Sequence, residues 1–274
     1  MPRDSRASRS PRFIRPPPPP LHTNCALFLD IDGTLAELAE DPGSVRVDAD
    51  IADGVRRLVQ SLGGALAVIT GRSITDADRL FADLKLPIAG QHGCERRDAA
   101  GTFHLCATSP ETLDRLRALL RDLAARHSGL LLEDKGATLA LHYRRSPHLA
   151  SYVRRALRAS LPRANDDAAR YVLQPGKMLL EVRPEGRDKG TAIRDFMAEA
   201  PFAGRQPVFL GDDRTDEHGF AVVEEMGGWS IKVGAGRTRA RFRLSDIAAA
   251  RQWLLAPPKS GSHSREASAT ETTS

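Results

Sequence analysis

Cysteine is scarce: the 274 residues contain only Cys25, Cys94 and Cys106. An odd number with no CxxC pair offers neither a disulfide framework nor a zinc site, and the expected setting is a reducing cytosol. Aromatic residues make up 5%, with no cluster that would stack bases. No apolar run approaches the roughly 20 residues of a membrane helix. The N-terminus lacks an apolar h-region, so no secretory signal is expected. Internal repeats are missing too. An acidic excess is absent: the net charge is +5. Most of that belongs to Arg3, Arg6, Arg9, Arg12 and Arg15, opposed only by Asp4, which leaves about +1 on the rest. A nearly neutral body excludes an extended nucleic-acid surface.

With 41% hydrophobic and 27% charged residues, the composition is that of a globular chain. Residues 1–21 are an Arg- and Pro-rich arm ending in the run Pro16–Pro20, expected to be disordered and extended. Residues 257–274, rich in Ser and Thr after Pro257 and Pro258, are expected to be a disordered tail.

Between them, strands and helices alternate. Residues 25–29, 65–69 and 87–90 are short apolar runs, which predict strands buried on both faces. Ile51, Val55, Leu58 and Leu62 repeat at helical spacing after Asp48 and Asp50, and Gly63–Gly64 ends that helix. A second helix is predicted from Ile74 to Leu84. This alternation implies a parallel sheet. From residue 97 the pattern changes to runs of strands separated by single helices. Ser109-Pro110 starts one helix, and Gln174-Pro175-Gly176 reads as a turn between two strands. Residues 97–183 are therefore expected to be an inserted α+β domain, with the core formed by 22–96 and 184–256. The α/β pattern resumes with a helix from Lys189, strands at 208–210 and 229–233, and a last helix at 247–255.

Three core strands end in polar clusters: Asp30-Ile31-Asp32-Gly33-Thr34, Thr70-Gly71-Arg72 and Gly211-Asp212-Asp213-Arg214-Thr215-Asp216. Ligands bind at the carboxyl ends of parallel strands. That edge would gather Asp30, Asp32, Asp212, Asp213 and Asp216, which repel one another unless a cation is present. Oxygen ligands of this kind suit Mg²⁺. A carboxylate can also act as a nucleophile toward phosphorus. Of the Asp30-x-Asp32 doublet, one member can attack while the other exchanges a proton with the leaving oxygen and with water. Gly33 and Thr34 offer backbone N–H groups to a phosphate, Thr70 offers a hydroxyl, and Lys189 offers a fixed positive charge.

The order DxDGT, TGR, Lys-Gly, GDDxxD resembles the haloacid dehalogenase-like phosphatase superfamily, whose C2-type caps are inserted where residues 97–183 lie. Finer stretches resemble the trehalose-6-phosphate phosphatase family. They include Gly90-Gln91-His92-Gly93, Glu133-Asp134-Lys135-Gly136, His142-Tyr143-Arg144, the segment from Lys177 to Pro184, Asp188-Lys189-Gly190, Ile231-Lys232-Val233-Gly234 and Phe242-Arg243-Leu244. Gln91 is a slight departure, since the family often has another residue there. The resemblance implies a Rossmann-like parallel core with an inserted cap, and hydrolysis of trehalose 6-phosphate. It implies Asp30 as nucleophile, Asp32 as general acid/base and Lys189 as the third catalytic residue. Mg²⁺ would be held by Asp30, the Asp32 carbonyl and Asp212, with Asp213 and Asp216 behind bound waters. Substrate contacts fall to Gly33, Thr34, Thr70, Arg72, Glu133, Lys135 and Glu181. Arg72, His92, His142 and Arg144 fit a substrate contact or a structural hydrogen bond equally well.

The cap would cross to the core near 94–97 and 184–188, with Gly186 as a hinge. The expected partner is a small sugar phosphate, with no nucleic acid and no membrane. Oligomeric state is left open, with a monomer as the default. Rival readings are a phosphatase for another sugar phosphate, a non-catalytic sugar-phosphate sensor and a nucleic-acid end phosphatase. The last conflicts with the near-neutral body.

Overall fold

Five consecutive apolar residues form strand β1 (Cys25–Leu29). Side chains alternate along a strand, so Cys25, Leu27 and Leu29 enter one core and Ala26 and Phe28 another. A central strand covered on both faces cannot alternate in polarity, which is why this segment is apolar throughout.

The structure is a computed structural model that describes residues 15–37, 45–81, 84–164, 170–176 and 178–260. After β1 come α1 (Ala49–Ser61), β2 (Leu66–Ile69), α2 (Ile74–Leu80), β3 (Ile88–Gly90), β4 (Glu95–Arg97) and β5 (Phe103–Leu105). Then follow α3 (Pro110–Arg126), β6 (Leu131–Asp134), β7 (Leu139–His142), α4 (Ala150–Ala164), β8 (Tyr171–Gly176) and β9 (Leu179–Pro184). The chain ends with α5 (Lys189–Met197), β10 (Gln206–Gly211), α6 (Asp216–Glu225), β11 (Trp229–Val233), β12 (Phe242–Leu244) and α7 (Ile247–Leu255).

The larger sheet has the order β12-β11-β10-β1-β2-β3-β4-β5. It is parallel from β12 to β3 and antiparallel at β3–β4 and β4–β5. Helices α1, α2 and α7 cover the Leu27 face, and α5 and α6 cover the Phe28 face. The smaller sheet, β6-β7-β9-β8, is antiparallel. Leu139, Leu141, Leu180 and Val182 pack its one face against α3 and α4. Its other face carries Glu133, Ala140, Glu181 and Gln174 in one cross-strand row. Ser109 caps α3 by accepting from Thr112 N–H, with Pro110 at the first position, as the sequence predicts.

Several expectations change. Phe103–Leu105 pairs with β4 and is the edge of the larger sheet, so the chain does not leave that sheet at residue 97. Gln174-Pro175-Gly176 is not a turn but the end of β8, with Gly176 opposite Leu179. Pro175 is tolerated there because β8 is an edge strand. Residues 15–21 of the arm and 257–260 of the tail are docked rather than disordered. Polyproline backbone makes no internal hydrogen bonds, so its carbonyls can accept from neighbours. Pro16 O accepts from Arg243 N–H at 3.1 Å, and Pro19 O accepts from Trp253 Nε1 at 3.0 Å. The prolines thereby blunt the open edge at β12. Lys259 N–H donates to Leu21 O at 2.8 Å, and Thr23 N–H donates to Lys259 O at 3.1 Å. The remainder of the arm (1–14) and of the tail (261–274) lies outside the described residues.

Candidate active site

At the end of β1, Asp30 N–H still donates to Leu210 O of β10 (3.0 Å). The next residues fold back: Leu35 and Ala36 N–H donate to Ile31 O at 2.8 and 2.9 Å, and the buried Ile31 and Leu35 pin the turn to the core. Gly33 N–H donates to Ala36 O (2.8 Å) and Thr34 N–H to Ile31 O (3.2 Å). Both groups, read from sequence as phosphate donors, are thus engaged within the turn. Gly33 is needed for a different reason. Its φ is +84°, and a Cβ there would lie 2.1 Å from Asp212 Oδ2. Thr34 Oγ1 lies 3.4 Å from Asp30 Oδ2, close enough for a long hydrogen bond.

The turn after β10 brings up Asp212 and Asp216. Carboxylate oxygens of Asp30, Asp212 and Asp216 lie within 4.8 Å of one another. Lys189, at the first turn of α5 and 3% exposed, donates to Asp30 Oδ1 at 2.8 Å and to Asp216 Oδ1 at 2.6 Å. Asp216 Oδ2 accepts from Asp212 and Asp213 N–H at 2.8 and 2.9 Å. That wrap over Asp216 needs Gly211, where a Cβ would come within 2.3 Å of the Asp216 carboxyl carbon. Lys232 of β11 donates to Asp212 O.

Burial drives Asp30 well above the usual carboxylate range, against the pull of Lys189. Burial, with Asp216 and Asp213 adding repulsion, pushes Asp212 up to about 7. Asp216 is raised mainly by burial. Burial alone would lower Lys189, but Asp216 and Asp30 outweigh it and hold the ammonium charged. Three crowded carboxylates still outnumber the ammonium groups of Lys189 and Lys232, and an all-oxygen donor set fits a hard divalent cation such as Mg²⁺. Asp32, expected to serve through its carbonyl, and Asp213, expected behind a water, engage their carboxylates with neighbours. Asp32 forms a two-pronged pair with Arg72, at 2.7 Å to Nε and 2.6 Å to a terminal nitrogen. Asp213 Oδ1 accepts from Thr215 N–H and hydroxyl at 2.7 and 2.6 Å.

Beside this cluster, the buried Thr70 ends β2, and its hydroxyl accepts from Arg72 N–H (3.2 Å). After β3, Gln91 and His92 take φ of 47° and 57°, costly for residues with side chains. Their N–H groups donate to Arg72 O (2.8 Å) and Thr70 O (3.0 Å), which ties this loop to the Thr70 loop.

The polar row of the smaller sheet faces these loops. Lys135 Nζ donates to Gly71 O and to Glu181 Oε1, both at 3.1 Å. His92 Nε2 lies 3.1 Å from Glu181 Oε2. Glu181 is buried, and burial would raise it, yet Lys135 and His92 hold it well below the usual carboxylate range. Both its oxygens are occupied, so it orients Lys135 and His92 instead of standing open to a ligand. Glu133 is more exposed and shares a 2.7 Å hydrogen bond with His142.

The structure thus brings Asp30, Asp212, Asp216, Lys189 and Gly33 into one cluster. Asp32, Thr70 and Arg72 stand beside it, and Lys135 and Glu181 across from it. Two contributors carry no sequence-derived role. Lys232 could have been found as a lysine inside a buried apolar strand, a rare placement. Gln91 has no such local signal, because its partners are 44 and 47 positions away.

Curated relatives place the chain. It is 42% identical to the trehalose-6-phosphate phosphatase of Escherichia coli K12, covering 86% of this chain and 87% of that one. It is 44% identical to a probable trehalose-phosphate phosphatase of Sinorhizobium fredii, over 77% of this chain and 78% of the other. Its fold is shared with the solved C-terminal domain of the Candida albicans trehalose-6-phosphate phosphatase. The TM-score is 0.72 at 20% identity, over 87% and 93% of the two chains. The model of the trehalose-phosphatase family matches residues 28–248, which span both sheets and every site residue above, and the chain belongs to that family.

Proposed function

We propose that this protein hydrolyses trehalose 6-phosphate to trehalose and phosphate, in a Mg²⁺-dependent reaction with an aspartyl-phosphate intermediate. The observation that carries this reading is the buried Asp30 carboxylate at the end of β1, 2.8 Å from Lys189 Nζ, in a chain of this family. The substrate named for the relatives supports the choice of sugar.

Asp30 attacks phosphorus, and the phosphorus–oxygen bond to the sugar breaks. Asp32 gives the departing sugar oxygen its proton, then takes one from the water that attacks the aspartyl-phosphate and frees Asp30. Arg72 holds Asp32 in place between these transfers. Lys189 offsets the charge on Asp30 and on the phosphoryl oxygens, and the Thr70 hydroxyl offers the phosphate a further hydrogen bond. Asp30, the Asp32 carbonyl and Asp212, with Asp216 and Asp213 behind, would hold Mg²⁺, which would supply the positive charge that a phosphate dianion needs to enter this acidic pocket.

The unit built on the smaller sheet serves as a cap over the site, turning on the segments near 94–97 and 184–188, where Gly186 has a φ of +80°. Glu133 and Lys135 offer the sugar an acceptor and a donor, and Glu181 fixes Lys135. The reaction is cytoplasmic in this reading, with no nucleic-acid or membrane partner.

The test is phosphate release from trehalose 6-phosphate, sucrose 6-phosphate and glucose 6-phosphate, with Mg²⁺ or EDTA, by wild type and Asp30→Asn. Release selective for trehalose 6-phosphate, abolished by EDTA and by the substitution, is expected. Release from a different sugar phosphate alone would keep the core chemistry and overturn the cap reading.

A further inference from the structure

Cys94 and Cys106 are twelve positions apart in sequence, yet they face each other at the open end of the β4–β5 hairpin. The ladder runs from Arg97 opposite Phe103 to Glu95 opposite Leu105. One step further, Cys106 N–H donates to Cys94 O at 2.8 Å. Opposed residues of an antiparallel ladder are about 4.5–5.5 Å apart at Cα. A disulfide spans roughly 4.4–6.8 Å. The two thiols also lie close enough to shift each other's titration.

Their surroundings differ. Cys94 is fully buried, whereas Cys106 is partly exposed. Cys106 lines a cavity of about 400 Å³ together with Arg96, His104 and Arg187. Cys94 lowers the Cys106 thiol against the effect of burial, with help from the Arg187 charge. Cys106 and burial together raise Cys94. Thiolate character, which governs reactivity toward oxidants, therefore belongs to the sulfur that solvent reaches, and a resolving thiol stands next to it.

We propose that Cys94 and Cys106 form a peroxide-responsive dithiol, in which Cys106 is oxidised from the cavity and Cys94 converts it to an intramolecular disulfide. In the first step the Cys106 sulfur attacks one oxygen of hydrogen peroxide. The sulfur–oxygen bond forms, the oxygen–oxygen bond breaks, and water leaves with the thiol proton. In the second step Cys94 sulfur attacks Cys106 sulfur. The sulfur–sulfur bond forms, the sulfur–oxygen bond breaks, and a second water leaves with the Cys94 proton. Peroxide is reduced and the thiol pair is oxidised, so both steps balance. The bond would tie the end of β5, where the chain departs toward α3, to the loop that carries Gln91 and His92.

The full chain, reduced and then treated with equimolar hydrogen peroxide, is alkylated after denaturation and digested. It is expected to lose two of its three free thiols and to yield a dithiothreitol-sensitive peptide joining Cys94 to Cys106. Cys25, buried in β1, should remain alkylatable. Cys94→Ser protein should stop at a Cys106 sulfenic acid that dimedone captures. Three intact thiols in the treated wild type, a sulfinic acid on Cys106 without the cross-link, or a cross-link only between chains would each overturn the proposal.

Discussion

Gln91 Oε1 accepts hydrogen bonds from both the backbone N–H and the hydroxyl of Thr138, at 3.0 and 2.9 Å. Its Nε2 donates to Lys135 O at 2.7 Å. One side chain from the larger sheet, 2% exposed, thus fixes the end of the β6–β7 hairpin where Lys135 is presented. The positive φ of Gln91 is strain that these bonds and its N–H bond to Arg72 O sustain.

Gln91→Ala removes all three side-chain bonds and leaves the buried Thr138 N–H without its acceptor. An unsatisfied buried group costs about 1–3 kcal/mol, so kcat/KM for trehalose 6-phosphate is expected to fall about 10- to 100-fold. Turnover of p-nitrophenyl phosphate, which lacks the sugar, should fall much less. An equal loss on both substrates would show that Gln91 serves the phosphate site and not the placement of Lys135.

Much of the site was legible in the sequence because its residues end strands that are buried on both faces. An unbroken apolar run that stops at an aspartate marks a carboxyl end, and Asp30, Asp212 and Asp216 follow from that pattern. The contacts that join the two sheets leave no such mark. Gln91 and Thr138, or His92 and Glu181, meet only after the chain has folded, and no periodicity records them. Short elements were missed for a related reason: three residues, as in β4 or β12, are too few to show a period. The polyproline segment was misjudged because backbone with no internal hydrogen bonds looks disordered until a neighbour such as Trp253 or Arg243 supplies donors.

Lys189 is the only side-chain cation that bridges Asp30 and Asp216 among the described residues. Lys189→Met leaves two buried carboxylates uncompensated, and removing one partner of a buried pair costs about 3–5 kcal/mol. Urea unfolding should report a loss of that size, and phosphate release should fall at least about 100-fold. Lys189→Arg should recover more stability than activity, since it restores the charge but not the shape of the ammonium. Full activity in the Met variant would remove Lys189 from the catalytic set.

Gly33→Ala tests the close approach of the turn to Asp212. The left-handed backbone at φ +84° costs a residue with Cβ roughly 1–2 kcal/mol, and the Cβ would displace the Asp212 carboxylate. Mg²⁺ affinity measured by calorimetry should weaken about 10- to 100-fold, the usual cost of disturbing a group that orients a metal ligand. Unchanged affinity would mean that Asp212 is not a ligand.

Glu181→Gln gives a stability difference that depends on pH. The folded pKa of Glu181 is lowered from its ordinary value of 4.5, because Lys135 and His92 outweigh the effect of burial. A lowered carboxylate contributes stability that is present above the unfolded value and is lost as pH falls through the folded one. At about pH 7 the variant should therefore be less stable than wild type by about 3–5 kcal/mol, the cost of breaking a buried pair. The gap should hold down to pH 4.5 and shrink below it, as the wild-type carboxylate takes up a proton and Lys135 loses its partner in both proteins. Urea midpoints across this range measure the gap directly. A gap that stays constant into acid would mean that the hydrogen-bond geometry of Glu181, and not its charge, holds Lys135 over the site.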